Sequence, residues 1–132
     1  MKYPTDAQGD QPNCGVTAVA TIAGKTVAEV FTYMKEKYGK RGHWKGRTQQ
    51  KQVIDTLRDY GFTLDQRFIR EGKKRGPQLQ KQAFALNTIY LVWTTGHVQV
   101  VFDDKVYDQS GEFPMHEYWG RRKFIVRIME VS

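Results

Sequence analysis

Two residues of the chain have the types and setting that nucleophilic chemistry needs: its single cysteine, Cys14, and a histidine that follows a glycine, His97. Cys14 lies where a polar, turn-forming stretch meets the apolar run CGVTAVATIA, which is typical of a helix. Backbone N–H groups and the dipole at a helix N-terminus lower the pKa of a thiol there. We therefore interpret Cys14 as a nucleophile, with Asn13 as the helix N-cap and Gly15 leaving space beside the sulfur. A small buried core residue is the alternative interpretation.

A nucleophilic thiol needs a base, and the sequence contains three histidines. His97 follows Gly96 at the start of HVQVVF, a predicted strand that would fix the position of the imidazole. His43 and His116 lie in predicted loops, and we interpret both as exposed polar residues. His97 is therefore the predicted base.

The base in turn needs an acceptor for its second ring nitrogen, and we predict Asp108 for that role. If residues 103–104 form a two-residue hairpin turn, Gln99 lies opposite Asp108, which places His97 and Asp108 on one face of the sheet. A three-residue turn would reverse that parity, and the orienting group would then have to come from Gln109, Asn87 or a β-bulge.

Gln8 lies upstream of the nucleophile, in the polar stretch. An acyl-transfer reaction passes through an intermediate whose oxyanion must be stabilised by hydrogen-bond donors. The Gln8 amide can curl back toward Cys14 and act there together with backbone N–H groups of the helix. We therefore predict Gln8 as an oxyanion donor.

The elements that must position these residues are helical in the front half of the chain and strand-rich in the back half. We predict a first helix over residues 14–23, a second capped by Thr26 and a third capped by Thr48, with glycine stops at positions 24, 39 and 61. A strand (FTLDQRFI) and a short helix after Pro77 precede an antiparallel meander made of TIYLVWTT, HVQVVFDD, KVYDQ and KFIVRIMEV. The expected architecture is one α+β domain over residues 1–132.

Composition narrows the functional classes. The chain has 132 residues and one cysteine, so a disulfide framework is excluded. We see no apolar signal core and no apolar run of membrane-spanning length, and we expect a cytoplasmic protein without membrane contact. The sequence has no CxxC, HExxH or GxxxxGK[ST] motif, and we expect neither a metal nor a cofactor.

Basic residues outnumber acidic ones by 21 to 14, which gives a formal net charge of +7. They are concentrated in residues 35–51, 70–75 and 121–123. Such basic runs are interpreted either as solvated surface or as binding sites for an acidic partner. In KYGKRGHWKGR aromatic and basic residues alternate, so Trp44 could stack on a base while its neighbours Arg41, Lys45 and Arg47 contact phosphates. The alternative for Trp44 is that it covers the core.

The cysteine, histidine, aspartate and glutamine together resemble the papain-like cysteine peptidase superfamily. The resemblance is closest to its short bacterial and phage members, including peptidases that cleave double-glycine leader peptides. Those proteins carry Gln-x5-Cys-Gly at the start of a central helix, a Gly-His in the sheet, and an Asp or Asn on the next strand. The matching positions here are Gln8, Cys14 with Gly15, His97 after Gly96, and Asp108.

The resemblance implies a papain-like α+β fold, in which a central N-terminal helix opened by the nucleophile packs on a C-terminal antiparallel sheet. It implies roles as nucleophile for Cys14, general base and acid for His97, orienting group for Asp108 and oxyanion donor for Gln8. The expected function is thiol hydrolysis of a peptide or protein substrate by a peptidase, isopeptidase or amidase, or acyl transfer. The alternative is a catalytically silent papain-like module that contacts nucleic acid or an acidic host protein through its basic surface. Oligomeric state is left open.

Overall fold

The computed structural model describes residues 1–118 and 124–132. Three α-helices occur in this part of the chain: α1 (Cys14–Ala23), α2 (Val27–Lys37) and α3 (Gln50–Asp59). Helix α1 has the predicted bounds, and it ends at Gly24, whose φ of +67° a residue with a side chain rarely adopts. Nearly every residue of α1 is buried. Its apolar composition therefore suits a helix that is surrounded by protein.

The second and third helices begin in different ways. The predicted capping box of α2 is present, because the Thr26 hydroxyl accepts from the Glu29 N–H and the Glu29 carboxylate accepts from the Thr26 N–H. The prediction of Thr48 as the cap of α3 is wrong. Gln49 is the N-cap, and its N–H donates to the Gln52 side chain at 3.0 Å, a second capping box built with glutamines.

Within the described residues, six strands form one sheet: β1 (Leu64–Ile69), β2 (Ile89–Thr94), β3 (His97–Phe102), β4 (Lys105–Asp108), β5 (Gly111–Pro114) and β6 (Ile125–Val131). Their order is β1-β6-β2-β3-β4-β5, and every pairing is antiparallel. Of the four strands of the predicted meander, β2, β3 and β4 are consecutive neighbours, whereas the fourth, β6, lies between β1 and β2. Strand β5 was not predicted, and the helix expected after Pro77 is a short 3-10 turn at Leu79–Lys81.

The β3–β4 hairpin has the two-residue turn on which the placement of Asp108 depends. Phe102 pairs with Lys105, and the two turn residues, Asp103 and Asp104, have φ angles of +48° and +64°. The pairing continues through Val100 and Tyr107. Extending that register by one position brings Gln99 opposite Asp108, as the two-residue alternative predicts.

The sheet separates two apolar clusters. The helices cover one face, where Val98, Val100 and Tyr107 join the core with α1. Val101 and Val106 face the other side and pack with Leu79, Met115 and Tyr118 among others. Alternation along β3 and β4 therefore separates the helix-side core from a second face, and His97 belongs to that second face by its parity with Val101.

The N-terminal segment makes hydrogen bonds both to the sheet and to helix α2. Burial and the charge of Asp108 raise the pKa of Tyr3 to about 12. The Tyr3 hydroxyl stays protonated and donates to the backbone carbonyl of Asp108, while its ring stacks on Tyr107 at 6.3 Å. The carboxylate of Asp6 accepts from the first backbone N–H groups of α2, at 2.8 Å from Val27 and 3.0 Å from Ala28.

In the part of the chain that the structure describes, no single helix has the length and hydropathy needed to cross a membrane. The pair α1 and α2, bent by 115° between them, passes that test by length and composition when taken together.

The capping contact of Asp6 gives a stability prediction. Burial raises the pKa of Asp6, but the N–H groups of Val27 and Ala28 outweigh it, so the pKa lies below its ordinary value. Asp6→Ala should lower the free energy of unfolding by about 1 kcal/mol at neutral pH. Because the folded pKa is depressed, this difference from the wild type should persist above the ordinary pKa of 3.8 and shrink as the pH falls below it.

Urea unfolding followed by circular dichroism measures this difference. The control is Asp10→Ala, which removes an exposed carboxylate from the same segment. An equal loss of stability in both variants would contradict the capping role.

Candidate active site

Cys14 is the first residue of α1 and is half-buried at one end of the sheet. Interactions with the His97 imidazole and with the backbone N–H groups of Val98 and Gly15 lower the pKa of its thiol. The sulfur lies in a cleft of about 210 Å³. The cleft is lined by Pro12, Cys14, Arg47, Thr48, Gly96, His97 and Gln109. The structure therefore brings together two residues that are far apart in the sequence, and it leaves them open to a substrate.

The electrostatics of the cleft favour a thiolate. Burial raises the pKa of the Cys14 thiol, but the hydrogen bond with His97 and those with the backbone of Val98 and Gly15 outweigh it. The net pKa lies below the ordinary 9.0. A thiolate is the reactive form of cysteine, so the setting activates Cys14 as a nucleophile.

The opposite edge of the imidazole faces two buried oxygen atoms. His97 Nε2 lies 3.4 Å from Asp108 Oδ2 and 3.2 Å from the hydroxyl of Tyr118. That hydroxyl donates to the same carboxylate oxygen at 2.8 Å. His97, Asp108 and Tyr118 are only 6%, 7% and 5% exposed. With Nε2 held on this side, Nδ1 is the ring nitrogen left for the thiol of Cys14.

The charged forms of His97 and Asp108 stabilise each other. Burial lowers the pKa of His97, but hydrogen bonds with Asp108 and Cys14 more than offset it and raise the pKa to about 9. Burial also raises the pKa of Asp108, while hydrogen bonds from His97, Tyr118 and the Ser110 N–H hold it below its ordinary value. All three shifts favour the charged forms, a thiolate, an imidazolium and a carboxylate in sequence.

Such a set can do two kinds of work. The thiolate can attack an electrophilic carbon, and the imidazolium beside it can protonate the group that leaves. The carboxylate keeps the imidazole oriented for both steps. This is the chemistry of acyl transfer through a covalent thioester.

Two glycines, Gly15 and Gly46, allow the loop before α3 to pack closely against the N-terminal end of α1. A Cβ atom at Gly15 would come within 2.1 Å of Thr48 Oγ1 and 2.9 Å of Val53 Cγ2. The glycine therefore makes room for the loop before α3, whereas we expected it to make room beside the sulfur. A Cβ at Gly46 would lie 2.7 Å from Asn13 Cβ, so the same loop also packs closely on the residue before Cys14.

Asn13 occupies the predicted N-cap position, but its side chain makes no capping hydrogen bond. It is buried, and its Oδ1 accepts instead from the Thr17 hydroxyl at 3.4 Å. The expected side-chain cap is therefore absent. The backbone N–H of Gly15 at this helix end helps to lower the pKa of the Cys14 thiol.

The structure places the two glutamines near the site differently. Gln8 is exposed and lines a neighbouring cleft with Asn13, Trp44 and Lys45 among others. Gln109 is buried and lines the Cys14 cleft, and its Oε1 has no hydrogen-bond partner among the described residues. The role of Gln8 as oxyanion donor stays a prediction, and Gln109 is a second amide within the cleft.

The basic residues picked out in the sequence line three different clefts. Arg47 lines the Cys14 cleft, Lys45 lines the neighbouring one, and Arg41 lies farther along beside α2. Trp44 is half-buried between them, stacked on Phe31 at 4.8 Å, with its indole N–H donating to the Arg47 carbonyl at 2.9 Å. Trp44 therefore covers the core, the alternative that the sequence left open. The basic run at 121–123 lies outside the described residues.

The other histidines are exposed, as expected. His116 lies 3.6 Å from Glu117 on the 3-10 turn before Tyr118. Across the described ranges 1–118 and 124–132, no group of three or more His, Cys, Asp or Glu side chains could hold a metal ion.

Sequence reasoning missed Tyr118 and Thr48 as parts of the site. Tyr118 follows a short 3-10 turn, and a single tyrosine in a loop carries no periodic signal that would distinguish it. Thr48 was interpreted as a helix cap because of its type and position before α3. Its contact with the Gly15 position depends on how the loop folds back over α1.

Comparison with known proteins supports the fold. No family model matches the sequence, and no curated protein matches it either. Among solved structures, the chain is similar to a double glycine motif protease from an AMS/PCAT transporter, determined in complex with a leader peptide. The match has a TM-score of 0.59 and 16% sequence identity, and it covers 98% of this chain and 89% of that one. The chain therefore has the α+β fold of a papain-like cysteine peptidase, as the resemblance in its motifs implies.

The contact between Cys14 and His97 predicts how the thiol reacts. Alkylation of the wild type by iodoacetamide should reach half of its maximal rate below pH 9.0, because the thiolate is stabilised. In His97→Ala that midpoint should move up, and alkylation at pH 7 should be about tenfold slower. Because Cys14 is the only cysteine of the chain, mass spectrometry reports this thiol alone.

His43→Ala is the matched control, since it removes an exposed imidazole. A midpoint that is the same in the wild type and in His97→Ala would contradict the pairing.

Proposed function

We propose that this protein is a papain-like cysteine peptidase. The observation that carries the proposal is that Cys14 and His97 line one cleft, with His97 Nε2 lying 3.4 Å from the buried carboxylate of Asp108. All three side chains lie on regular elements, α1, β3 and β4, which hold their geometry. The shared fold supports the same class.

In the acylation step, the Cys14 thiolate forms a bond to the carbonyl carbon of a peptide, and the π electrons move onto the oxygen. The oxyanion is held by the Gln8 amide and the backbone N–H of Cys14. When the C–N bond breaks, the His97 imidazolium gives its Nδ1 proton to the departing amine. The products of this step are a free amine and a thioester on Cys14.

In the deacylation step, water attacks the thioester and gives a proton to His97 Nδ1. The C–S bond breaks, an acid is released, and the thiolate and imidazolium are restored. Because the cycle needs a reduced thiol, we propose a reducing compartment, the cytoplasm, as its location.

For the substrate we propose a peptide with two small residues before the scissile bond. The cleft volume of about 210 Å³ is below the range of about 300–1,000 Å³ that pockets for drug-sized ligands occupy. Gly96 forms part of its wall. The similar structure is a protease named for a double glycine motif, which supports the same preference here.

The experiment is cleavage of a synthetic peptide with a central Gly-Gly, compared with the same peptide carrying Val-Val. We expect cleavage after Gly-Gly and at least about tenfold slower cleavage of the Val-Val peptide, because the cleft is small. Cys14→Ala should abolish cleavage, since the thioester cannot form. Cleavage that survives in Cys14→Ala, with the peptide products identified by mass spectrometry, would contradict the proposal.

The same assay separates the two glutamines. Gln8→Ala should lower kcat by about 10²-fold or more while the alkylation rate of Cys14 stays unchanged, because an oxyanion donor acts only in the transition state. Gln109→Ala should have a much smaller effect. The reverse result would assign the oxyanion to Gln109.

A separate observation supports an acidic partner. The cleft that contains Lys45 and the surface that contains Lys35, Lys40 and Arg41 share Phe31 in their linings, so these cationic side chains form one path, which Asp6 and Glu36 also line. We propose that an acidic segment of the peptide substrate lies along this path. The Trp44 ring is stacked on Phe31 and has Lys40 Nζ 5.6 Å from its centroid, which favours a peptide over stacked nucleic-acid bases as the occupant.

Substituting Arg41 and Lys45 by Ala should raise KM for a Gly-Gly peptide with an acidic N-terminal extension by about threefold, and kcat should stay unchanged. The difference should shrink as salt increases, because the side chains are exposed. The control replaces Lys73 and Lys74 by Ala, which removes the same number of exposed positive charges from another loop. An equal effect of the two double variants, or tight salt-dependent binding of single-stranded RNA that needs Trp44, would contradict the acidic-peptide proposal.

A further inference from the structure

Tyr118 occupies a buried position next to the proposed catalytic residues. It follows the 3-10 turn Met115–Glu117 and is 5% exposed. Its ring packs against Phe113 with centroids 5.6 Å apart, and its backbone carbonyl accepts from the side chain of Gln80. These contacts fix the ring independently of its hydroxyl group.

The hydroxyl of Tyr118 lies between the imidazole and the carboxylate. Its oxygen is 2.8 Å from Asp108 Oδ2 and 3.2 Å from His97 Nε2, whereas the direct distance from Nε2 to Oδ2 is 3.4 Å. Both distances to the hydroxyl are shorter than the direct one. The path through Tyr118 therefore has the better hydrogen-bond geometry.

The directions of these hydrogen bonds follow from the groups involved. An ionised carboxylate can only accept, so the Tyr118 proton points to Asp108. At 3.2 Å, the Tyr118 oxygen can then accept from a proton on His97 Nε2. With the proton on Nε2, the neutral imidazole has its lone pair on Nδ1, toward the thiol of Cys14.

We propose that Tyr118 is a positioning residue of this site, whose hydroxyl bridges His97 to Asp108 and holds the proton of the neutral imidazole on Nε2. Its role in catalysis rests on the proposed peptidase function. The bridge serves both protonation states, because the imidazolium also donates from Nε2 while Nδ1–H faces the thiolate. The imidazole therefore needs no reorientation between acylation and deacylation.

Other charged or titratable groups of the described residues also face this site. They are Cys14 from α1, Asp108 from β4, Tyr3 from the N-terminal segment and Arg47 across the cleft. Tyr3 bonds to the backbone of Asp108 rather than to its carboxylate. Among the hydroxyl contacts described for this site, Tyr118 is the one that reaches both His97 and Asp108.

The test is Tyr118→Phe, which keeps the ring in its contact with Phe113. Without the hydroxyl, the His97 imidazolium loses a hydrogen-bond acceptor and is less stable. The Cys14 thiolate, which the imidazolium stabilises, is then less stable too. We expect kcat/KM for the Gly-Gly peptide to fall about tenfold, with the alkaline limb of its pH profile moving below the wild-type limb near pH 9. The midpoint of Cys14 alkylation by iodoacetamide should move up in the same variant.

The matched control is Tyr90→Phe. It removes a hydroxyl that contacts the Ala85 N–H at 3.2 Å in the same apolar cluster, so it reports loss of stability alone. The proposal is overturned if Tyr118→Phe shifts neither the alkaline limb of kcat/KM nor the midpoint of Cys14 alkylation. It is also overturned if the variant cleaves the peptide faster than the wild type. The alkylation readout needs no substrate, so an inactive wild type would contradict the peptidase function and leave the test of Tyr118 standing.

A second measurement requires no change at Tyr118. In Cys14→Ala, ¹⁵N NMR of the neutral His97 ring should show the proton on Nε2. A proton on Nδ1 would overturn the proposal, because the Tyr118 oxygen would then have no donor on the imidazole.

Discussion

The site depends on the interaction between the Cys14 thiol and the His97 imidazole, since burial opposes the charged form of both groups. A buried charge is tolerated only when partners replace the water that it loses. Here the partners of the thiolate are His97 and two backbone N–H groups, and the partners of the imidazolium are the thiolate, Asp108 and Tyr118. The ionised groups are therefore interdependent, and each supports the reactive state of the others.

The fold meets this requirement by bringing a helix end to a strand end. Helix α1 is apolar on nearly all sides, so it can lie between the other helices and the sheet, with its first residue at the start of β3. Asp108 reaches the same place because a two-residue turn sets the register of β3 and β4. The loop before α3 closes the rim through Thr48 and Gly46. Regular elements thus hold the reacting atoms, and a loop shapes the entrance.

The similarity to a double glycine motif protease at 16% identity agrees with this division. A core of this kind needs apolar residues in the right pattern and volume more than it needs particular side chains. Arg47, Lys45 and Arg41 are exposed residues that lie outside this core. Chemistry and specificity can therefore vary separately on one scaffold.

The sequence by itself determined the elements whose signals are local. Helix α1 and the capping box of α2 follow from composition and cap residues. For the turn between β3 and β4 the sequence left two lengths open, and the structure shows the two-residue form at Asp103–Asp104. The sequence also singled out Cys14, His97 and Asp108. Only the tertiary structure decided that β6 inserts between β1 and β2, that Trp44 covers the core, and that Tyr118 reaches the site. The physical reason is that strand pairing and buried hydrogen bonds depend on which distant segments of the chain come into contact. A local pattern of residues does not specify which distant segment that will be.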